Sequence, residues 1–293
     1  MPASPMRSGP MLDVTALRFA VSDRSRRRLF GGAPPLEILK GVDLAVAAGE
    51  TVGIVGESGS GKTTLARTVL RLHRPTGGRI VFAGEDITDL SPAALRPLRS
   101  RMQIIFQDSM SALNPRLTVG SILVEPLLSF GRIDDRRQAR RVAGELLERV
   151  GLPAEFAARY PHQLSGGQRQ RVGIARAVSL RPALVVADEI VSGLDVSVQA
   201  RILELLATLQ ADTGMALVLI SHDLSVVRAI CDTVLVMRQG RIVERGPCET
   251  VFANPSHPYT RNLLRAIPLP EVDPGWFDRV DLADAAMIEA AAG

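Results

Sequence analysis

Cysteine is scarce in this sequence of 293 residues, which contains only Cys231 and Cys248. The pair lacks metal-site spacing and gives no disulfide framework, so we expect a reducing compartment. Long apolar runs are also lacking, since ALVVA at 183–187 and MALVLI at 215–220 fall far short of the roughly 20 residues that span a membrane. The opening MPASPMRSGP has no apolar stretch behind its charge, which argues against a signal peptide. These features predict a soluble, cytosolic chain that cannot itself form a membrane pathway.

A strong excess of one charge is lacking as well, because the formal net charge is +4. This balance is too weak to argue for nucleic acid, and it also suits nucleotide phosphates or an anionic membrane face. A basic cluster at Arg24, Arg26, Arg27 and Arg28 could contact lipid headgroups or a partner, although a solvated loop is the commoner origin of a charge run. With 46% hydrophobic and 23% charged residues, the chain is globular, with one large domain or two modest ones.

Strand and helix patterns alternate along most of the chain. Strands are predicted at 11–21 and on both sides of the turn AAGE within 36–55, and residues 120–180 are predicted to be helical. One apolar stripe of that helical region consists of Ala139, Val142, Leu146, Leu147 and Val150, ending at Gly151. The pattern then predicts strands at 183–187 and 215–220, helices over 195–211 and from Asp223, and a hairpin turning at RQG. This alternation predicts an α/β fold with a mostly parallel sheet.

The stretch GESGSGKTT at 56–64 has the pattern of a phosphate-binding loop between a strand at 51–55 and a helix at 62–72. The glycines let backbone N–H groups wrap the phosphates, Lys62 supplies a positive charge to the β and γ oxygens, and Thr63 offers a hydroxyl to Mg²⁺. Chance gives such a match in roughly one chain of this length in a hundred. The pattern therefore predicts nucleoside triphosphate binding by Gly56, Glu57, Ser58, Gly59, Ser60, Gly61, Lys62, Thr63 and Thr64.

Two carboxylates end the apolar strand in ALVVADE at 183–189. Asp188 is predicted to hold Mg²⁺, and Glu189 to orient and deprotonate the attacking water. The alternative is a strand that merely ends in acidic residues, and the presence of a phosphate loop in the same chain makes that interpretation less favoured. Gln107 in IIFQDS and His222 in VLISHD belong to the same set by their order in the chain, although a lone histidine at a strand end is more often structural.

LSGGQ at 164–168 is a second stretch with the make-up of an anion site. Ser165 is a capping residue, and Gly166 and Gly167 leave the backbone uncovered at a helix start. The residues by themselves do not say why one chain needs two phosphate sites.

In their order along the chain, the five motifs are the loop 56–64, Gln107, LSGGQ, the carboxylate pair and His222. Together they resemble the ATP-binding subunits of ABC transporters over nearly all of residues 11–268. The resemblance implies a P-loop NTPase (RecA-like) core with an N-terminal antiparallel β subdomain and an inserted helical subdomain at about 110–180. It also implies a flexible N-terminus at 1–10, an ABC ATPase domain at 11–253 and a peptide-importer-type tail at 254–293.

The resemblance assigns a role to each motif. ATP and Mg²⁺ are the implied cofactors, with Thr63, Gln107 and Asp188 at the metal and Glu189, His222 and Gln107 as the catalytic set. Two ATPase units of this family dock head to tail, with Asp195 at the contact between them. The signature residues Ser165, Gly166, Gly167 and Gln168 then cap the γ-phosphate held by the partner, so the second phosphate site serves the other protein.

The sequence departs from the family pattern at two places. Ile190 stands where proline usually follows the catalytic glutamate, which changes a backbone restriction and leaves the carboxylate in place. The aromatic residue that stacks on adenine aligns near Val21, and Phe19 lies two residues earlier on the same strand face. A core role for Phe19 is the favoured interpretation, so the adenine contact stays unassigned.

Two stretches, 106–127 and 254–268, resemble the oligopeptide, dipeptide and nickel importers, and specifically their second ATPase subunit. The implied partners are a second ATPase (a companion chain or a second copy), two permeases and, indirectly, an extracytoplasmic solute-binding protein, at the cytoplasmic face of the bacterial inner membrane. No nucleic-acid partner is expected. Peptides are the favoured cargo, with nickel or a metal chelate as the alternative. A soluble ABC ATPase of repair or translation is a further alternative, which is disfavoured because the chain has one ATPase unit without a long coiled-coil insertion. An exporter is also disfavoured, because no membrane domain is fused.

Overall fold

The computed structural model describes residues 9–21, 35–107 and 112–266. The arginine cluster at 24–28, most of the N-terminal segment 1–10 and the end of the tail from 267 lie outside the described residues. The strands are β1 Leu12–Val21, β2 Leu36–Val46, β3 Thr51–Val55, β4 Gly77–Phe82, β5 Glu85–Asp86, β6 Met102–Ile105, β7 Leu184–Asp188, β8 Ala216–Ile220, β9 Thr233–Arg238 and β10 Arg241–Pro247. The helices are α1 Lys62–Val69, α2 Pro92–Arg99, α3 Val119–Ser129, α4 Arg136–Arg149, α5 Gly166–Val178, α6 Val196–Thr213, α7 Leu224–Ile230, α8 Cys248–Ala253 and α9 Pro258–Ala266.

The larger sheet has six strands in the order β10-β9-β3-β8-β7-β6, parallel except where β10 pairs with β9. Strands β3, β7 and β8 are buried at all five positions, because a parallel sheet is covered on both faces. This explains why they are continuous apolar runs rather than alternating ones. The predicted α/β fold with a mostly parallel sheet is confirmed.

The smaller sheet is antiparallel, with four strands in the order β2-β1-β4-β5. Strands β2 and β3 are consecutive in the chain but belong to different sheets, so the turn between them joins two layers rather than closing a hairpin. Val52 and Ile54 of β3 face a core shared with Val14 and Phe82 of the smaller sheet. Because side chains alternate along a strand, the neighbouring positions point to the opposite face of the large sheet. There Val55, Val185 and Leu217 belong to a second core that includes helix residues.

Helices dominate residues 119–178, as predicted: α3, α4, short 3₁₀ helices at 154–158 and 161–163, and α5. Asp135 is the N-cap of helix α4, and its carboxylate accepts the N–H of Arg137. Gly151, two residues after the end of the helix, has a φ of +68°. Leu146 and Leu147 of the predicted stripe are buried in the core, and Ala139 and Val142 pack against it.

Two helix ends differ from the sequence prediction. Helix α1 ends at Val69 rather than 72, because Arg71 adopts a φ of +55° and its buried guanidinium donates to Ile87 O and Leu90 O. Helix α6 continues to Thr213, where Gly214 ends it with a φ of +64°. None of the helices in the described parts of the chain has the length and apolarity needed to cross a membrane.

Candidate nucleotide-binding and hydrolysis site

The loop 56–61 connects the end of β3 to the first turn of α1. Gly56 has a φ of +150°, and a Cβ built on it would lie 2.1 Å from Met237 O, so only glycine fits there. Helix α1 starts at Gly61 with no side-chain cap, which leaves N–H groups and the positive end of the helix dipole for an anion. Ser60 Oγ is buried and hydrogen-bonds to no described residue. These features fit a phosphate group.

Lys62 is the buried cation of this loop, with 5% of its surface exposed. Its Nζ donates to Gly56 O at 2.7 Å and to Glu57 O at 2.9 Å. Burial lowers the pKa of Lys62, while the nearby carboxylates of Glu189 and Asp188 oppose that shift. A phosphate would give this ammonium the strong anionic partner that the two carbonyls only partly replace.

Asp188, the last residue of β7, meets the beginning of α1. Thr63 Oγ1 donates to Asp188 Oδ1 at 3.2 Å, across 125 residues of sequence. Burial raises the pKa of Asp188, and the hydrogen bond from Thr63 acts in the opposite direction. A hydroxyl and a carboxylate next to a phosphate loop are the oxygen ligands that Mg²⁺ prefers, so the residues present fit that ion.

Gln107, Glu189 and His222 converge from the carboxyl ends of β6, β7 and β8. Gln107 Nε2 donates to Glu189 Oε2 at 2.9 Å, and His222 Nδ1 lies 3.5 Å from the same oxygen. Adjacent parallel strands end at one edge of the sheet, which explains why residues from three separate motifs meet. The group places one carboxylate between two nitrogen-bearing side chains beside the phosphate loop.

The backbone at Glu189 is strained, with a φ of +48°. A non-glycine residue in the left-handed region costs about 1–3 kcal/mol and is often found at functional sites. Glu189 N donates to Ile220 O at 2.9 Å, and Ile190, which replaces the proline of the family pattern, is buried in the core. The hydrogen bond to the end of β8 and the buried Ile190 therefore anchor the backbone at Glu189 in a chain that has no proline at 190.

The signature stretch lies at the N-terminus of α5. Ser165 Oγ accepts from Gln168 N at 3.3 Å, and Gln168 Oε1 accepts from Ser165 N at 3.0 Å, which together form a capping box. A Cβ at Gly167 would lie 2.7 Å from Val198 Cγ1, so glycine lets α5 approach α6 closely. Among the described residues, no hydrogen bond or ion pair joins Ser165 or its neighbours to the loop 56–64.

Neither candidate for the adenine contact acquires a clear role. Phe19 packs against the core, and its ring stacks on His73 with the ring centroids 5.0 Å apart. Val21, at the end of β1, is 37% exposed. The core interpretation of Phe19 agrees with this packing.

Sequence reasoning missed one contact at the phosphate loop. Tyr259 Oη, in α9, accepts from Glu57 N at 3.1 Å, although the two residues are 202 positions apart. The sequence drew attention to the stretch 254–268, but no local pattern indicates that this tyrosine reaches the loop.

The strand–loop–helix phosphate site and the carboxylates at the strand end fit the class of P-loop NTPases. The family model for "ABC transporter" matches residues 39–192, a little over half of the chain. A second model, for "Oligopeptide/dipeptide transporter, C-terminal region", matches residues 243–292. The chain belongs to the ABC transporter ATP-binding family, and it is an ATPase.

Relatives support this assignment over long alignments. A probable peptide ABC transporter ATP-binding protein of Sinorhizobium fredii is 53% identical over 81% of this chain and 67% of its own length. A Brucella ovis protein whose name assigns it to peptide import is 49% identical over 92% of this chain and 82% of its own. A glutathione import ATP-binding protein of Escherichia coli O6:H1 is 52% identical over 80% of this chain but only 38% of its own length.

Solved structures give the same fold. The ATP-binding cassette MJ0796, a dimer in a post-hydrolysis state with ADP and phosphate bound, aligns with a TM-score of 0.71 and 29% identity, over 81% of this chain and 99% of that one. The protein cbiO1 of Clostridium perfringens, described as part of the ABC transporter complex cbiONQ, aligns with a TM-score of 0.72 and 28% identity, over 84% of this chain and 92% of that one. The predicted P-loop NTPase fold is thereby confirmed.

Proposed function

We propose that this ATPase drives the import of short peptides through separate permease subunits. The observation that carries the proposal is the match of residues 243–292 to the C-terminal region of oligopeptide and dipeptide transporters. The names of relatives that are 49–53% identical, which refer to peptide or glutathione import, agree with it. The proposed layout is a short N-terminal segment at 1–10, an ATPase domain at 11–253 with a helical subdomain at about 110–180, and the importer-type tail at 254–293.

The proposed site uses the whole of GESGSGKTT for the nucleotide. Backbone N–H groups of the loop and the N-terminus of α1 would bind the phosphates, and Lys62 would move from the carbonyls of Gly56 and Glu57 to the β and γ oxygens. Thr63, Asp188 and Gln107 would hold Mg²⁺, which neutralises charge on the phosphates when it is bound.

In the hydrolysis step, Glu189 would orient a water molecule and accept its proton. Gln107 Nε2 already occupies Glu189 Oε2 at 2.9 Å, which leaves Oε1 for the water. His222, more than half exposed and 3.5 Å from Oε2, is free to turn toward the γ-phosphate. The reaction is ATP plus water to ADP plus phosphate, and no covalent enzyme intermediate is required.

We propose a head-to-tail dimer, because in the described part of the chain the side-chain hydrogen bonds of the signature stay within its own capping box and none reaches the phosphate loop. Ser165 and Asp195 are both exposed, and Val196, beside Asp195, is an apolar side chain with 67% of its surface exposed. The partner would be a companion ATPase or a second copy, docked at the cytoplasmic face of the membrane on two permeases, with a solute-binding protein outside. We propose no nucleic-acid partner.

Reconstitution tests this proposal. The chain, combined with its permeases, companion ATPase and binding protein in liposomes, should take up a labelled dipeptide only when Mg²⁺-ATP is supplied on the ATPase side. Glu189→Gln in the same assembly is the matched control and should abolish uptake. ATP-driven uptake of Ni²⁺ but not of peptide would contradict the peptide proposal and support the nickel alternative.

A further inference from the structure

Tyr259 is a buried tyrosine of α9 that touches the phosphate loop from outside the ATPase motifs. Only 6% of its surface is exposed, and its hydroxyl accepts the backbone N–H of Glu57 at 3.1 Å. Glu57 is the second residue of the loop 56–64. The contact therefore joins the importer-type C-terminal region to the nucleotide site.

The hydrogen bond acts on a peptide group that is held at both ends. Gly56 C=O and Glu57 N–H belong to one planar peptide unit. Lys62 Nζ donates to the carbonyl at 2.7 Å, while Tyr259 Oη accepts from the N–H. Because the unit is rigid, fixing the N–H also fixes the direction of the carbonyl on which the Lys62 ammonium rests.

Tyr259 is itself held from the side of the large sheet. The guanidinium of Arg238 lies 4.8 Å from the centroid of the Tyr259 ring. Arg238 follows Met237, whose carbonyl is the group that leaves no room for a Cβ at Gly56. The end of β9 therefore lies against the Tyr259 ring and also against Gly56, whose carbonyl belongs to the peptide unit that Tyr259 binds.

The start of α9 is also anchored. Glu244 of β10 accepts hydrogen bonds from Ser256 N at 2.6 Å, Ser256 Oγ at 2.8 Å and His257 N at 3.1 Å. His257 Nδ1 in turn accepts from Tyr259 N at 3.1 Å. With the helix start fixed to the sheet in this way, the hydroxyl of Tyr259 has a defined position relative to the loop.

We propose that Tyr259 is a positioning residue that holds the first peptide of the phosphate loop in the conformation that accepts ATP. The inference rests on the assignment of 56–64 as the nucleotide loop. Removing the hydroxyl leaves the Glu57 N–H without its acceptor and frees the peptide to rotate, so the loop must be reordered when the phosphates bind. A typical hydrogen bond of this kind corresponds to about 2- to 10-fold in an equilibrium constant.

The test is Tyr259→Phe in the full-length chain, which deletes one oxygen and keeps the ring under Arg238. The Kd for ATP and for ADP by calorimetry, and the KM for ATP, should rise about 2- to 10-fold. The kcat should stay within about twofold, because among the described residues the Tyr259 side chain bonds to Glu57 N and lies against Arg238, and no hydrogen bond joins it to Glu189, Gln107 or His222. In the nucleotide-free protein, amide hydrogen exchange of the peptide 55–60 should become faster.

Tyr160→Phe is the matched control, since Tyr160 is the only other tyrosine of the chain and is 39% exposed. It should leave Kd, KM and loop exchange unchanged. The proposal is overturned if Tyr259→Phe leaves the loop exchange and the Kd unchanged, or if it only lowers Tm and the active fraction, as loss of packing would. Lys62→Ala separates the two assignments: if it too leaves ATP affinity unchanged, the nucleotide loop itself is misassigned.

Discussion

At the scale of the residue, Glu189 combines strain with an asymmetric environment. Its Oε2 is contacted by Gln107 and lies near His222, and its backbone has a φ of +48°. Two features stabilise this backbone conformation: Ile190, which is 2% exposed in the core, and the hydrogen bond from Glu189 N to Ile220 O. The carboxylate is thus held with one oxygen directed to known partners and one available for a reactant.

Glu189→Gln should nearly stop hydrolysis and leave ATP binding intact. The amide has almost the size of the carboxylate and still positions water, but it does not accept a proton, and loss of a general base typically costs about 10²–10⁴-fold in rate. Phosphate release and the Kd for Mg²⁺-ATP should be measured on the same preparation. Near-normal turnover would show that another residue is the base.

Asp188→Asn should stabilise the nucleotide-free protein and weaken Mg²⁺-ATP. Burial raises the pKa of Asp188, so its folded form favours the neutral carboxyl, and the charge carried at neutral pH opposes folding. Asparagine removes that charge and still accepts from Thr63 Oγ1, but it is a poorer ligand for Mg²⁺.

Thermal unfolding in EDTA and calorimetry with Mg²⁺-ATP should therefore move in opposite directions for this variant: a higher Tm and a higher Kd. Glu189→Gln, which neutralises the adjacent carboxylate, is the control for nonspecific charge effects and should keep Kd low. A fall in Tm without nucleotide would contradict the view that burial penalises the Asp188 charge.

At the scale of the element, α5 and α2 each have a serine N-cap that accepts a backbone N–H, and they differ in expected function. Ser165 Oγ accepts from Gln168 N at 3.3 Å at the start of α5, and Ser91 Oγ accepts from Ala94 N at 3.3 Å at the start of α2. Replacing either serine by alanine should cost about 0.5–2 kcal/mol of stability.

Ser165→Ala should also lower ATP turnover at saturating nucleotide, whereas Ser91→Ala should not. The proposed reason is that only the N-terminus of α5 faces the nucleotide of a partner chain, where the lost hydroxyl would have contacted the γ-phosphate. The free energy of unfolding by urea and the kcat should be measured for both variants. Equal turnover in the two would argue that the signature serine acts only as a cap.

Local sequence predicted the elements better than their contacts. The buried run at 51–55 was predicted with its bounds, because a glycine turn precedes it and a glycine loop follows it. The end of α1 was predicted three residues too late, since the reversal at Arg71 depends on carbonyls of Ile87 and Leu90 that lie elsewhere in the chain. Nothing local indicates that β2 and β3 belong to different sheets.

The candidate site shows the same division. The loop 56–64, Asp188 and Glu189 could be named as candidates from the residues themselves, because phosphate, Mg²⁺ and water each require particular side chains at strand ends. The roles of Gln107, His222 and the signature were predicted only through the resemblance to ABC ATPases. The contact between Tyr259 and Glu57 could not be predicted, since it depends on where α9 packs, 202 positions further along the chain. The left-handed backbone of Glu189 was not predicted from the sequence either, and its N–H bonds to Ile220 O of a strand 31 positions further along the chain.

At the scale of the whole molecule, the described residues form one group around the phosphate loop and a second, separate anion site. The loop 56–64, Asp188, Glu189, Gln107 and His222 lie together, while the N-terminus of α5 presents Ser165 to solvent without contacting them. A γ-phosphate bound to this loop would therefore have no contact with Ser165 of the same chain. A partner docked head to tail would supply the corresponding contact.

ATP hydrolysis should consequently depend on association. In a dilution series, the rate of the isolated chain should rise more than linearly with protein concentration, because in the proposed dimer each active site is completed by the signature of a second chain. Adding the companion ATPase and permeases should increase the rate further. Strictly linear turnover that partners do not change would indicate a self-sufficient monomer.

Glu189→Gln allows the dimer itself to be observed, since bound ATP then persists. With Mg²⁺-ATP this variant should elute from gel filtration at twice the monomer mass of 31.5 kDa, and without nucleotide it should elute as a monomer. Adding Ser165→Ala should weaken the dimer without removing bound ATP, whereas adding Lys62→Ala should remove both. The two double variants therefore separate loss of the partner contact from loss of the nucleotide. If the Ser165 double variant dimerises as strongly as Glu189→Gln alone, the serine does not reach the partner's γ-phosphate, and the head-to-tail arrangement loses its structural basis.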